Sequence, residues 1–215
     1  MITHVNCQVK DEAILLEHVL PFWQEYPVDE FVFLNDNSTD NTTEVIDDYL
    51  GDEATILDRK TEKFHEAENR SSMLEYSRNA GADIVISLDA DELLSYSFIN
   101  HFDWIMEEAL DLRIFLYQYN VVGSMNKIRQ DPQYVNNFRD FIFPMKHTGT
   151  FDKTQDRYHT PRTPPISLPD APLKECGFIH LQSINVKFYA LKQLWYKVFE
   201  YKEYGKSVDE INAAY

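Results

Sequence analysis

Short apolar runs recur along the first half of the chain and alternate with longer stretches of mixed polarity. Runs of this length that are apolar almost throughout are typical of strands buried on both faces of a sheet. Four such runs predict strands, at 4–9, 30–35, 54–57 and 82–88.

Apolar residues spaced three or four positions apart in the intervening stretches predict amphipathic helices. These helices are predicted at 11–26, 41–50, 66–81 and 95–109. Asn41 and Glu44 form a start signal for the second helix, and Gly81 is typical of the end of the third. The face that the first helix is predicted to bury consists of Ile14, Leu15, His18, Val19 and Phe22.

This alternation predicts an α/β fold with a mainly parallel, Rossmann-like sheet flanked by helices. Right-handed crossovers place the carboxyl ends of such strands at one edge of the sheet, and ligands bind outside that edge. The two most polar turns of the first half, 35–41 and 89–92, both follow predicted strands. We therefore expect both turns at the ligand-binding edge.

The second half of the chain is less regular, although we expect all 215 residues, 1–215, to form a single domain with a change of character near residue 112. Strands are predicted at 112–123, 138–145 and 177–182, and a helix at 185–205. The polar segment 146–175 contains five prolines and is too long for an ordinary connection. We expect it to be a functional loop that is mobile without a ligand.

The charge balance narrows the choice of partners. Asp and Glu exceed Lys and Arg by 16, which argues against nucleic acid or an anionic membrane surface as the main partner. A small anion held by a metal ion stays compatible with this charge. The two cysteines are not paired in a C-x-x-C motif, and the sequence shows neither a signal pattern nor an apolar run of the roughly 20 residues that span a bilayer. These features predict a protein without a transmembrane segment in a reducing compartment, the cytoplasm.

Two acidic residues, Asp89 and Asp91, follow the fourth predicted strand. If the strand continues, their side chains share one face, and two carboxylates so close repel each other unless a cation, a proton or a hydrogen-bond donor lies between them. Mg²⁺ and Mn²⁺ both accept carboxylate and phosphate oxygens, so a divalent cation satisfies this requirement. The alternative is a solvated acidic turn in which Asp91 or Glu92 caps the following helix.

The other polar turn contains Asp36, which the local turn and helix cap do not need. A carboxylate at the end of a strand can accept a hydrogen bond from the ring N–H of a pyrimidine base. The segments "NCQVKDEA", "FVFLNDNSTDNT" and "ENRSSMLEYSRNAGADIVISLDADELL" follow one another along the first half. Together they resemble the nucleotide-sugar-binding half of glycosyltransferase family 2, whose fold is called GT-A. Asn35 departs from the family pattern, in which many members have Asp.

The resemblance implies that residues 1–111 bind a nucleotide-sugar donor and that 112–215 form the acceptor side, with the flexible loop at 146–175. Val9, Lys10 and Glu12 would lie along the base and the ribose of the donor. Asp36 would contact the base. Arg70 would contact the nucleotide or its diphosphate.

The same resemblance implies roles around the second turn and in the second half. Asp89 would face the ribose or the sugar, and Asp91 would bind a Mn²⁺ or Mg²⁺ cofactor together with the diphosphate. His180 is the second expected metal ligand. Lys192 and Lys197 lie on the last predicted helix, where a cation can meet the diphosphate.

The reaction implied is transfer of a sugar, from a UDP-sugar, to a hydroxyl group of a carbohydrate or lipid-linked acceptor, with inversion at the anomeric carbon. A general base would take the acceptor proton. Asp140, Asp156 and His159 are candidates for that base, and Asp140 and His159 join Asp91 as the expected catalytic residues. Peripheral association with a membrane stays open, and no nucleic acid is expected.

Two other functions stay open at this point. A nucleotidyltransferase would share the α/β sheet, but it normally needs an early glycine-rich loop, which "NCQVKDEA" does not contain. A non-catalytic protein that binds nucleotides or sugars would keep the site without the base.

Overall fold

The computed structural model describes residues 1–59, 65–131, 137–153 and 160–185, and in the C-terminal part residues 187, 190, 193–194, 197–198, 201–202 and 205–214. In these residues the chain forms one mixed sheet of eight strands, and helices flank it. The strands, in chain order, are β1 (Thr3–Val9), β2 (Glu30–Asn35), β3 (Ala54–Asp58), β4 (Ile84–Ser87), β5 (Glu92–Leu94), β6 (Arg113–Val122), β7 (Phe138–Pro144) and β8 (Asp170–Ser183). Their order across the sheet is β3-β2-β1-β4-β7-β6-β8-β5. The α/β fold expected from the sequence is confirmed.

The half of the sheet formed by β3, β2, β1 and β4 is parallel throughout. Its register pairs Val9 with Asn35 and Asn6 with Ser87, so the three central strands end close to one another. β7 then runs antiparallel to both β4 and β6. The prediction of a mainly parallel sheet therefore holds for the first half of the chain, whereas the second half adds antiparallel strands.

The helices whose full bounds are described are α1 (Ala13–Trp23), α2 (Thr42–Leu50), α3 (Glu66–Asn79), α4 (Tyr96–Asn100), α5 (Phe102–Ala109) and α6 (Val208–Ala214). Short 3₁₀ turns occupy Gly51–Glu53 and Met145–His147. Gly81 has a φ of 84° beyond the end of α3, where a glycine costs the least strain.

The predicted buried face of α1 is wrong. Ile14 is 77% exposed and Phe22 is 57% exposed. Of the predicted face, Val19 is buried as expected, and the other residues that α1 buries are Ala13, Leu16, Leu20 and Trp23. This helix carries two apolar stripes, and the stripe that contains Trp23 faces the sheet because its indole ring packs at 6.0 Å from the rings of both Phe31 and Phe33. Periodicity alone does not distinguish two stripes of similar hydrophobicity.

α3 covers the opposite face of the sheet. Met73 packs with Val32 and Leu34 of β2, while Leu74 belongs to a cluster with Val85. This interface also contains polar groups, because Ser77 donates a hydrogen bond to Asn6 at 3.0 Å. Arg70 is another buried polar residue of α3, and it contacts Ser87 at the carboxyl end of β4.

Several boundaries in the second half differ from the predictions. The last strand begins at Asp170 and not at 177, so the final part of the predicted loop 146–175 is extended chain. The polar side chains there face solvent on alternate positions of the strand, which hides the strand from a search for apolar runs. The predicted helix at 95–109 is broken at His101 into α4 and α5. Of the predicted helix 185–205, the described residues 187, 190, 193–194, 197–198 and 201–202 are helical.

The chain divides into two compact units. The first consists of Met1–Gln118 and Asn136–Ile179, and the second of Tyr119–Val135 and His180–Tyr215. The single-domain organisation expected from the sequence stays a prediction. None of the helices formed by the described residues is long and apolar enough to span a membrane.

Candidate active site at the carboxyl edge of the parallel strands

The two polar turns flank the end of β1, as the sequence predicts. The backbone N–H of Asp36 donates to the carbonyl of Val9 at 2.9 Å, and that of Leu88 donates to the carbonyl of Asn6 at 3.0 Å. Asp36 and the 89–92 turn therefore continue the ladders on either side of β1. The edge of the parallel strands brings both acidic turns into one region of the first unit.

The turn after β1 is locked onto the turn after β2. Lys10 donates from Nζ to the carbonyl oxygens of Asp36 and Asn37, at 2.9 and 3.3 Å. Asp11 accepts from the backbone N–H of Thr39 at 2.6 Å. Both Asp11 and Asn37 have positive φ angles, 51° and 57°, which these residue types tolerate better than most. These contacts fix the segment from Lys10 to Glu12 at the edge of the sheet.

Asp36 is buried and forms an ion pair with Arg59, whose Nη1 lies 2.7 Å from its Oδ1. Sequence reasoning missed Arg59, which follows β3 directly. The order of the strands would have revealed Arg59 as a partner of Asp36. β3 pairs with β2 in parallel, so the carboxyl ends of the two strands are neighbours. Asn35 links the same strands, since its amide nitrogen donates to Asp58 at 3.0 Å and its amide oxygen accepts from the backbone of Ser38. An aspartate at position 35 could not make the first of these bonds.

Arg70 projects from α3 toward the end of β4. Its guanidinium pairs with Glu66 at 2.7 Å, and Nη1 donates to the hydroxyl of Ser87 at 3.2 Å. Arg70 is buried, and it lines a small crevice. The other residues that line this crevice are Asn6, Met73, Leu74, Ser87, Phe143, Phe151 and Arg162.

A third arginine, Arg162, holds the 89–92 turn. Its Nη2 is ion-paired with Oδ2 of Asp89, and its Nη1 donates to both carboxylate oxygens of Glu92 at 2.8 and 2.6 Å. Glu92 is fully buried, and it also accepts the backbone N–H of Asp89 at 3.0 Å. Burial alone would lower the pKa of Arg162, but the charges of Asp89 and Glu92 outweigh burial and raise the pKa above its usual value. The guanidinium is therefore a fixed positive charge at this turn.

Sequence reasoning missed Arg162 because it lies in the proline-containing segment 146–175, where periodicity carries no information. The alternative role for Asp91 or Glu92 was to cap the helix that follows the turn, and the structure shows a different cap. Ser95 caps α4, since its hydroxyl accepts from the backbone N–H of Phe98 at 3.2 Å. The acids of the turn are thus not needed for the cap.

Asp91, in the same turn, is also buried. Burial raises the pKa of the Cys7 thiol, and the charges of four carboxylates near the end of β1 raise it further. These carboxylates are Asp89, Glu12, Glu92 and Asp91. Each of these negative charges disfavours the thiolate form of Cys7.

No group of three His, Cys, Asp or Glu side chains is arranged to hold a metal ion among the described residues. The other predicted metal ligand, His180, belongs to the second unit, where its Nδ1 lies 2.9 Å from Oδ1 of Asn120. Asp91 belongs to the first unit, where a bound metal would also take oxygen atoms from a ligand or water. Mg²⁺ commonly binds in this way, through one or two carboxylates plus substrate phosphates.

Asp140 lies on β7, which pairs with β4, so the sheet carries it toward the level of the 89–92 turn. It accepts a hydrogen bond from the hydroxyl of Thr163 at 2.9 Å, and Arg113 lies 3.8 Å away. Thr163 follows Arg162 directly in the chain. One short segment therefore contacts both Asp140 and the acidic turn. His159 and Lys192, and likewise Asp156, lie outside the described residues.

Comparison with known proteins supports the fold and identifies a family model. The model described as "Glycosyl transferase family 2" matches residues 13–153. No curated protein matches the sequence. The solved structures that resemble the chain include S. aureus TarS, with a TM-score of 0.60 and 12% identity over 94% of this chain and 40% of that chain.

Two further structures of TarS 1–349 from S. aureus resemble the chain to a similar degree. One has a TM-score of 0.56 with 11% identity, and covers 94% of this chain and 66% of that chain. The other, in complex with UDP-GlcNAc, has a TM-score of 0.55 with 13% identity, and covers 94% and 67%. The chain thus spans 40% of the longest of these three chains and about two thirds of the other two. At these identities the likeness concerns the fold.

Proposed function

The chain belongs to glycosyl transferase family 2, and we propose that it transfers a sugar from a UDP-sugar to a hydroxyl group of a carbohydrate or lipid-linked acceptor. The observation that carries this proposal is the convergence of Asp36, Arg70, Asp89 and Asp91 at the carboxyl edge of adjacent parallel strands. That edge is where sheets of this type bind their ligands. A nucleotide-sugar donor consists of a base, a diphosphate and a sugar. A protein that binds it needs side chains of different chemistry for each of these three parts.

The base would be held at the junction of β1 and β2. Val9, Lys10 and Glu12 would lie along the base and the ribose, and Asp36 would accept from a ring N–H. Arg59 donates to Oδ1 of Asp36 at 2.7 Å, and the ring N–H of the base would bind to the other carboxylate oxygen, Oδ2. The structure of TarS 1–349 in complex with UDP-GlcNAc supports a uridine diphosphate donor for a fold of this type.

The diphosphate would lie near Arg70 and Asp91. A Mn²⁺ or Mg²⁺ ion bound to Asp91 would supply positive charge to the leaving diphosphate. Arg70 would donate hydrogen bonds to the same oxygens from the crevice that it lines beside Ser87. His180 as a second metal ligand and Lys192 as a second cation stay part of the proposal.

The reaction forms a bond between the acceptor oxygen and the anomeric carbon while the bond from that carbon to the diphosphate breaks. The acceptor proton must pass to a base as the new bond forms. Asp140 is our first candidate for this base, because Thr163 and Arg162 connect it to the acidic turn, and His159 is the second. Attack from the side opposite the diphosphate inverts the anomeric carbon. The two unpaired, buried cysteines are in keeping with our proposal of a cytoplasmic enzyme.

The proposal is tested by thermal unfolding and by release of UDP from UDP-GlcNAc, UDP-glucose and UDP-galactose. A ligand that binds the folded state alone raises the unfolding midpoint. We expect UDP to raise it more with Mn²⁺ than without, and at least one sugar nucleotide to be turned over. Binding of UDP without turnover in the presence of sugar acceptors would favour the non-catalytic alternative.

The role of Asp91 is tested by Asp91→Asn. We expect this variant to lose the Mn²⁺-dependent part of UDP binding and at least about 100-fold in turnover, because the loss of one preorganised charge commonly costs that much. Asp131→Asn in the second unit, which removes a more exposed carboxylate, is the matched control and should behave as the wild type. Mn²⁺-dependent binding of normal strength in Asp91→Asn would refute the assignment.

A further inference from the structure

Arg162 has hydrogen-bonding capacity that the described residues do not use. A guanidinium carries five N–H donors. In the described part of the chain, Nη1 serves Glu92 and Nη2 makes one bond to Asp89, while Nε makes none. The side chain is 22% exposed and lines the crevice that also contains Arg70. A rigid, partly exposed donor with spare N–H groups is thus present at the candidate site.

Asp89 offers the complementary group beside it. Its Oδ2 is bound by Arg162, whereas its Oδ1 makes no hydrogen bond within the described residues. The side chain is 40% exposed. The ion pair fixes the orientation of the carboxylate, and the backbone N–H of Asp89, bound to Glu92, fixes the turn that carries it. Donor and acceptor are therefore held next to each other by the same contact.

The charge of this group favours a neutral ligand. Two carboxylates, Asp89 and Glu92, face a single guanidinium, so the cluster carries a net charge of about −1 at neutral pH. A phosphate would be repelled by such a cluster, whereas hydroxyl groups, which both donate and accept, match an adjacent acceptor and donor. Neighbouring hydroxyls on a sugar ring present this pattern.

We propose that Arg162 is a specificity-determining residue that binds the sugar of the donor, with Asp89 and Arg162 contacting two neighbouring ring hydroxyls. This inference rests on the proposed function of the site and adds a residue to it. Arg162 contributes in two ways, since it donates to one hydroxyl and orients Asp89 toward the other. In the proposed function, the base and the diphosphate would be bound by other residues, namely Asp36, Arg70 and Asp91.

The test compares the affinity for UDP with that for UDP-GlcNAc, UDP-glucose and UDP-galactose, by calorimetry with Mn²⁺ present. The gain in affinity that the sugar brings over UDP alone is the readout. Arg162→Lys keeps the positive charge beside Glu92 but loses the planar fork of donors. Arg162→Met with Glu92→Gln removes both members of the buried pair, so that no lone charge is left inside the fold.

We expect both variants to bind the best sugar nucleotide about tenfold or more weakly, since hydrogen bonds from charged groups contribute at least that much. Their affinity for UDP should stay within about twofold. An analogue of that sugar nucleotide lacking one ring hydroxyl should bind more weakly than its parent to the wild type. At one of the ring hydroxyls, Arg162→Lys should abolish this difference. Arg129→Lys, an arginine of equal exposure paired with Asp131 in the second unit, is the control and should match the wild type.

Equal sugar gains in the wild type and the Arg162 variants would overturn the inference while the proposed function stands. A parallel loss of UDP affinity would also overturn it, because Arg162 would then act on the diphosphate or on the fold. If the wild type binds neither UDP nor any of the three sugar nucleotides, the proposed function itself fails. The three results are distinguishable in one titration series.

Discussion

The buried carboxylate of Glu92 makes a sharp prediction about stability. Glu92 is fully buried, and Arg162 is the cation that contacts both of its oxygens. Replacing Arg162 with Met removes this cation and leaves the charge of Glu92 in the interior. Asp89 loses the same partner, but it is partly exposed and water can solvate it.

The expected loss follows from the cost of breaking a buried ion pair. Removal of one partner typically lowers the free energy of unfolding by about 3–5 kcal/mol, because the other charge stays buried and has lost its ion pair. Domains are stable by only about 5–15 kcal/mol, so Arg162→Met should be marginally folded. In the double variant Glu92→Gln with Arg162→Met, no lone charge is buried. This variant should recover most of the loss.

The assay is urea unfolding at pH 7 followed by tryptophan fluorescence and far-UV circular dichroism. A loss of 3–5 kcal/mol shifts the midpoint by roughly 1–3 M urea for a slope of about 2–3 kcal/mol per M. Arg129→Met, which breaks a more exposed ion pair, should cost about 1 kcal/mol or less. If Arg162→Met is as stable as the wild type, or if the double variant is no more stable than Arg162→Met, the reasoning about Glu92 is refuted.

Two further predictions concern groups away from the arginine pairs. Tyr26→Phe should lower the free energy of unfolding by about 1–3 kcal/mol in urea melts. The tyrosine hydroxyl accepts from the buried backbone N–H of Leu94 at 2.8 Å, and that donor would lose its partner in the variant. An unchanged urea midpoint would contradict this. Burial lowers the pKa of His4 below its usual 6.5, against the opposing charges of Glu30 and Asp29, so the unfolded state binds more protons and the wild type should lose stability as the pH falls below about 6.5. His4→Gln should lack this part of the pH dependence when urea midpoints are compared at pH 7.5 and 5.5, and identical slopes in both proteins would count against the buried histidine as its source.

The strands and helices of the first half could be read from the chain because their signals are local. A run such as 84–86 is apolar at every position, which is typical of a strand inside a covered sheet. The same local logic placed Asp36, Asp89 and Asp91 at strand ends, and the parallel topology brought them to one edge. The buried face of α1 could not be read in this way, since two stripes competed and the sheet chose the one with Trp23.

The partners of the acidic residues depend on contacts between distant parts of the chain. Arg59 pairs with Asp36 because β3 lies beside β2, and Arg162 reaches Asp89 from 73 positions away. Hydrophobic periodicity reports whether a residue faces the core, but it carries no information about which charged residue meets which. Such pairs are set by the order of strands in the sheet and by the path of irregular segments.

By itself, the sequence determined that strands alternate with helices, that acids gather where strands end, and that the charge suits no polyanion. The tertiary structure alone decided how those acids are neutralised, which of them keep an oxygen for a ligand, and which face of the first helix is buried. The physical reason is the distance along the chain over which each interaction acts. The preference of a segment for strand or helix is fixed within a few residues, whereas the balance of buried charges is fixed only when distant segments pack together.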